Sequence, residues 1–238
     1  MDRNLLIAYS LYYEGDYQKI IKAIEAEESV PLLECLNNAI TIYDKEYPSS
    51  LLDLNLPPLV LYYKGNLELL RKPAIGVVGS RTPCDYALKA TELLVRNNSD
   101  KVIVSGLAKG IDACSHENAH ETIGVLGCGI DYIYPYNNYH LFKEIEKNGL
   151  IISEYPGMVK PLSYHFPFRN RIIAGLSDRV YIMQSSPRSG TMTTVNETLE
   201  LGKDIRVLPY SIFSEAGRHN NHLIYEGATP IEYDEIAF

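Results

Sequence analysis

Cysteine is scarce in this chain: four residues in 238, none of them in a CxxC pair. Cys35, Cys84, Cys114 and Cys128 are expected as small core residues in a reduced, cytosolic setting. No apolar run approaches the length of a membrane span, and the N-terminus carries no secretory leader pattern, so a cytoplasmic chain with no membrane partner is expected. The phosphate loop GxxxxGK[ST] is absent, and no GxGxxG follows the first strand of the α/β region. A nicotinamide or flavin enzyme is therefore not expected, and no cofactor is implied. Positive charge is also short, with 22 Lys and Arg against 30 Asp and Glu, a net −8. Such a chain does not coat DNA by bulk charge, although a local groove remains compatible with it.

What positive charge there is collects in one window. Residues 159–190 hold Lys160, Arg169, Arg171, Arg179 and Arg188 against Asp178 alone, a net +4. Every other part of the chain is net negative: −6 over residues 1–70, −1 over 71–158 and −5 over 191–238. Charge gathered this way points to a bound anion. Tyr164, Phe166 and Phe168 are interleaved with it, which suits a nucleic-acid strand: charge for phosphates, rings for bases.

At this length the chain can bury a full α/β core and carry a small extra region. Its 46% hydrophobic and 22% charged composition is that of a globular protein. Residues 1–46 read as small helices. Leu5, Leu6, Tyr9, Tyr12 and Tyr13 repeat with helical spacing, as do Ile20, Ile21 and Ile24, and then Leu32, Leu33, Leu36, Ile40 and Tyr43. Asp16 is the expected N-cap of the second helix. Residues 47–73, punctuated by Pro48, Pro57, Pro58 and Gly65, read as a linker with an edge strand or hairpin at Leu59–Tyr63.

Residues 74–238 alternate short apolar strands with helical patterns. The strands are expected at Ile75–Gly79, Val102–Gly106, Gly124–Gly127, Leu150–Glu154, Arg179–Gln184 and Ile205–Pro209. This pattern predicts an α/β fold, a mostly parallel sheet with helices on both faces. Ligands of such sheets bind at the carboxyl edge of the strands, where the loops gather Gly, Ser, Thr, Lys and Arg from distant parts of the chain.

Each motif has a bland reading beside the functional one. Ser189-Gly190-Thr191 opens the helix after the fifth of these strands and is either an anion site or a plain N-cap. Ser105-Gly106-Leu-Ala-Lys109-Gly110 offers an anion loop with Lys109 as its charge, or close-packing glycines. Arg169-Asn170-Arg171 places two arginines on different sides of a helix, one free to clamp phosphate and one to brace the fold. His116-Glu-Asn-Ala-His120 matches the zinc-protease pattern HExxH. A strand beginning near Ile123 leaves about one turn after His120, and Ile123 stands where the extended motif needs Gly, so no metal is expected. The tyrosine-dense run Asp131–Tyr139 stacks bases or forms a packed turn with its hydroxyls at the surface.

Taken together, these residues resemble the DNA-processing protein A family, also called Smf. The resemblance runs from about residue 47 to about residue 228. It is carried by Val77-Val-Gly-Ser-Arg81, Val104-Ser-Gly-Leu-Ala-Lys-Gly-Ile-Asp112, Val125-Leu-Gly-Cys-Gly129, His165-Phe-Pro167, Arg169-Asn-Arg-Ile-Ile-Ala-Gly175 and Arg188-Ser-Gly190. The resemblance implies an extended Rossmann-like fold and a homodimer. It also implies a non-enzymatic protein that binds single-stranded DNA, protects incoming transforming DNA and helps load the RecA recombinase. The family's positive pocket maps onto Arg81, Lys109, Arg169 and Arg171. Charge and position add Lys160 and Arg188, and the motifs above add Ser105, Gly106, Asn170, Ser189, Gly190 and Thr191. Phe166 and Phe168 are the candidate stacking rings.

The alternative is an enzyme, a nucleotide phosphoribohydrolase of the "lonely guy" type, which shares this kind of fold and a Pro-Gly-Gly-x-Gly-Thr loop. Pro187-Arg-Ser-Gly-Thr191 echoes that loop. The glutamate that should closely follow its threonine is displaced to Glu197.

Overall fold

The computed structural model describes residues 2–187 and 189–236; the candidate residue Arg188 lies outside them. Two helices open the chain, α1 (Arg3–Tyr12) and α2 (Tyr17–Glu25). Asp16 caps α2, its carboxylate accepting from the Lys19 amide at 3.2 Å. The third helical pattern is not a helix. Residues 28–36 carry no regular structure, and Ile40 falls in β1 (Asn38–Thr41), which pairs antiparallel with β2 (Val60–Gly65). Leu32 and Leu36 of that pattern are exposed.

There follow β3 (Ala74–Gly79), α3 (Asp85–Asn97), β4 (Val102–Ser105), α4 (Ile111–Asn118), β5 (Glu121–Val125), α5 (Tyr139–Asn148) and β6 (Leu150–Ser153). The chain continues through α6 (His165–Leu176), β7 (Arg179–Gln184), α7 (Thr191–Glu200), β8 (Asp204–Val207), α8 (Arg218–Tyr225), β9 (Thr229–Pro230) and α9 (Tyr233–Ile236). The two-residue β9 has no counterpart among the expected strands.

Among the described residues the strands form one sheet in the order β1-β2-β6-β5-β4-β3-β7-β8-β9. From β6 to β9 all neighbours are parallel, while β2 joins β6 antiparallel. The central parallel strands β3, β4 and β6 are apolar on both faces because both are covered. Ile75, Val77, Ile103, Tyr181 and Met183 pack toward α3 and α4. Val78, Val104, Val180 and Ile182 face the other way, onto Ile172 and Ile173 of α6 and Val195 of α7. Alternation with period two places both sets from the same strands. A third cluster joins α1 and α2 to β2 and α5 through Leu6, Tyr9, Ile20, Tyr62 and Phe142.

Strand β3 fixes where a ligand goes. The chain lays β4, β5 and β6 to one side of it, then returns to lay β7, β8 and β9 on the other. The order reverses between β3 and β7, and a crevice opens beyond the carboxyl ends of strands at such a point. No helix among the described residues is long and apolar enough to cross a membrane.

Candidate functional site

A cleft of about 860 Å³ lies at that switch point. Its walls come from the loops after β3 and β7, from α6 and from the start of α7, with Arg81, Phe166, Arg169, Asn170, Ser189 and Thr191 among the lining residues. Sequence-distant motifs therefore converge because each follows a parallel strand.

The loop after β3 carries Ser80 and Arg81. Arg81 is exposed, and its guanidinium stands 5.5 Å from the centre of the Phe166 ring, a cation–π distance. The Phe166 ring in turn lies 5.5 Å from Tyr134, tilted by 37°. One mouth of the cleft is therefore a charge beside two rings. Gly110 holds the neighbouring loop against this one: it has φ +77°, and a Cβ there would lie 2.4 Å from the Ser80 carbonyl oxygen. Only glycine suits both demands.

Arg169 forms the floor. It is 4% exposed, and its Nη1 donates to the Gly106 carbonyl at 2.8 Å and to the Val125 carbonyl, while Nε donates to Asn170 Oδ1 at 3.0 Å. A methyl group on Gly106 would sit 2.5 Å from Arg169 Nη2 and 2.7 Å from Asp112 Oδ2, so the bare glycine is what admits the guanidinium. Asp112, at the start of α4, is buried beside it. Burial pushes the Asp112 carboxyl above the usual carboxylate range, against the pull of Arg169, and lowers Arg169 in turn. Arg169 keeps its charge all the same. Asn170 completes the floor, donating from Nδ2 to the Gly190 carbonyl at 2.9 Å and so tying α6 to the entrance of α7.

The start of α7 contributes less open backbone than a free helix end. The amides of Met192 and Thr193 already donate to Ser189 and Gly190 carbonyls at 3.1 Å. Ser189 Oγ donates to the Ser186 carbonyl at 2.8 Å. The helix offers its dipole, exposed Gly190, and hydroxyls at Ser189, Thr191 and Thr194. Thr194 Oγ1 is buried without a hydrogen-bond partner.

Other candidate residues stand elsewhere. Arg171 points away from the cleft: Nη1 and Nη2 each donate to Glu154 at 2.6 Å, and Nε donates to the Leu56 carbonyl at 2.8 Å. Its guanidinium covers the Phe168 ring at 3.7 Å, and Tyr17 of α2 meets that ring edge-on at 5.9 Å. The phosphate role expected for Arg171 and the base-stacking role expected for Phe168 therefore give way to a brace between α6 and the N-terminal helices. Ser105 is fully buried and donates to the Val77 carbonyl at 2.6 Å, a cross-strand tie rather than a ligand contact. Lys109 is exposed and does not line the cleft. Lys160 lies on a second groove, with Leu11, Glu34 and Met158.

The basic window is thus not one positive surface. Glu154 neutralises Arg171, and Arg179, at the opposite end of β7 from the cleft, pairs with Asp204 at 2.7 Å. Among the cleft residues that sequence reasoning missed are Ser80, Asp112, Thr194, Gln184 and the exposed Glu215, with Tyr134 noted only as part of a tyrosine cluster. Asp112 falls inside the Ser105–Gly110 loop's continuation, yet nothing local marks it as the companion of Arg169.

His116 and His120 do not share a helix face. His116 sits in the last turn of α4, and His120 lies beyond the end of the helix at Asn118 and is exposed. Thr122 Oγ1 donates to the Ile103 carbonyl at 2.8 Å, so it accepts from His116 Nδ1–H at 2.6 Å. Burial takes His116 down to about 3, which keeps it neutral. Among the described residues no three His, Cys, Asp or Glu side chains gather as metal ligands.

The family model of DNA recombination-mediator protein A matches residues 38–237. The chain belongs to that family. It is 41% identical over 195 residues to DNA processing protein DprA of Streptococcus pneumoniae, covering 80% of this chain and 69% of that protein. It is 40% identical over 208 residues to DprA of Bacillus subtilis, covering 84% and 70%. The crystal structure of the S. pneumoniae protein superposes with a TM-score of 0.80 at 34% identity, over 96% of this chain and 89% of that one. A Helicobacter pylori DNA processing protein A, whose structure is described for its single-stranded DNA binding mode, superposes with a TM-score of 0.75 at 35% identity, over 84% and 93%. The α/β fold with its mostly parallel sheet and N-terminal helices is thus that of the DprA structures.

Proposed function

We propose that the chain binds single-stranded DNA in the cleft at the β3/β7 switch point. The observation that carries this reading is the pairing of two arginines, Arg81 and Arg169, with two adjacent rings, Phe166 and Tyr134, in one crevice lined by hydroxyls. Phosphates meet the arginines and the start of α7, and bases stack on the rings. The described single-strand binding of the H. pylori relative supports it. In this reading the protein is a recombination mediator and not an enzyme. It shields incoming single strands, as in transformation, and delivers them to a RecA-type recombinase. It works as a homodimer, for which exposed Ile212, Phe213 and Tyr225 supply apolar surface. Glycosidic hydrolysis is less well served, because Glu197 does not line the cleft, Asp112 lies buried beneath Gly106, and the one other lining carboxylate among the described residues, Glu215, comes from the segment before α8 rather than from the loop that echoes the hydrolase motif.

Fluorescence anisotropy with labelled single- and double-stranded oligonucleotides across a salt series tests the proposal. Salt-dependent preference for the single strand is expected; equal affinity for the two forms overturns it. Arg81→Ala should weaken binding to every sequence alike and make the salt slope shallower by about 0.7. An unchanged slope would remove Arg81 from the phosphate path. Phe166→Ala should cost about 1–3 kcal/mol of affinity with little change in slope, because a ring stacks without displacing counterions.

A further inference from the structure

The loop between β5 and α5 holds Tyr132, Tyr134, Tyr136 and Tyr139 in eight residues. Tyr134 belongs to the cleft. Tyr136 and Tyr139, next along the loop, are exposed too. One residue, Pro135, separates Tyr136 from Tyr134, so their Cα atoms lie within about 7 Å of each other. The Tyr136 ring lies 5.6 Å from Tyr139, which lies 5.6 Å from His140. A packed turn would hide its rings and show only hydroxyls; here Tyr136 is 75% exposed and Tyr139 36%.

The platform is held in place. Asn138 Nδ2 donates to the Leu107 and Ala108 carbonyls at 3.0 Å each, fastening the tyrosine loop to the loop that bears Lys109. Leu107 sits buried in the left-handed region at φ +55°, a conformation that surrounding structure must impose. The local charge suits a polyanion. No carboxylate occurs from Tyr132 to Lys143, and Asp131 before them is engaged by Lys64 at 2.7 Å and by Asn37 at 3.0 Å. Lys109 is exposed and makes no ion pair among the described residues. In a chain of net −8, this is an aromatic segment without a carboxylate of its own, beside an unpaired lysine, and its Tyr134 lines the cleft.

We infer that the tyrosine loop is a second segment of the DNA path: bases leaving the cleft past Tyr134 stack on Tyr136 and Tyr139, and Lys109 meets the backbone beside them. This rests on the cleft reading and extends its site along the strand. Aromatic side chains along a charged track are how sequence-tolerant single-strand binding is built.

Two oligothymidylates, of about 6 and about 20 nucleotides, separate the two segments. Against wild-type protein, Tyr136→Ala with Tyr139→Ala should leave the short oligonucleotide's affinity unchanged and weaken the long one about 10-fold, the equivalent of about 1.4 kcal/mol. Equal loss for both lengths, or no loss for either, overturns the inference. Failure of wild-type protein to bind even the short oligonucleotide fails the cleft reading instead. The chain contains no tryptophan, so Tyr136→Trp provides a single reporter in full-length protein. Its emission should change with the long oligonucleotide and not with the short one. A silent reporter under conditions where the long oligonucleotide binds also overturns it.

Discussion

Replacing Arg169 by methionine should destabilise the protein by about 3–5 kcal/mol and remove most of its affinity for single-stranded DNA. The loss has three sources. The Gly106 and Val125 carbonyls lose a buried donor, and a buried acceptor left unmet is costly. Asp112 loses the only charge that opposes its burial among the influences on its carboxyl. The loop after β4 and the end of β5, which Arg169 pins to α6, lose their common anchor at the cleft floor. For a chain of this size the melting temperature should fall by roughly 10 °C.

The variant should also carry a pH signature. Burial raises the Asp112 carboxyl above its ordinary value of 3.8. A group whose folded pKa is raised binds its proton more tightly in the folded state. Its contribution is fully present below the unfolded value and is lost as pH rises through the folded one. Without Arg169 the folded value climbs further, so Arg169→Met should go on losing stability above about pH 4 to a higher pH, and by more in total, than wild-type protein. Asp112→Asn in the same background should flatten that dependence and restore part of the melting temperature. Thermal unfolding of the four proteins in the cycle, from about pH 4 to about pH 8, measures both effects. A single variant that melts like wild-type protein at every pH would show that Arg169 has no structural partner in Asp112.

How far the sequence could be read depends on the range of the interactions. The central parallel strands β3, β4 and β6 were legible because they are buried on both faces and so read as apolar runs, while β8 alternates Ile205 and Val207 with Asp204 and Arg206. Their shared edge followed from the βα alternation, and with it the convergence of the Gly79–Arg81, Ser105–Gly110 and Ser189–Thr191 loops. The Leu32–Tyr43 pattern misled because a few apolar residues fit a helical period by chance. Pairing of Ile40 with Leu61 across the sheet decides the conformation there. The arginines show the same limit. That Arg169 and Arg171 must point apart follows from helix geometry. Which of them faces the cleft depends on Glu154, just after β6, and on Asp112, at the start of α4. Charge counting over residues 159–190 could not reveal that Arg171 and Arg179 are neutralised by acids outside the window.

Arg171→Met should destabilise the protein about as strongly as the Arg169 change, by about 3–5 kcal/mol, yet leave DNA binding nearly intact. Arg171 is 3% exposed and Glu154 5%, and the bidentate pair joins the end of β6 to α6. Removing the guanidinium strands a buried carboxylate and also takes away the donor to Leu56 and the cation over Phe168. None of these atoms lines the cleft. At a temperature well below melting, the affinity for a short single strand should therefore stay within about twofold of wild type, since no phosphate contact is lost. Replacing both partners, as Arg171→Met with Glu154→Leu, should recover much of the stability, because a buried ion pair exchanged for apolar side chains of similar size is often neutral. If Arg171→Met melted normally and lost its DNA affinity, the guanidinium would be a phosphate contact, and α6 would have to present a different face to the strand from the one seen here.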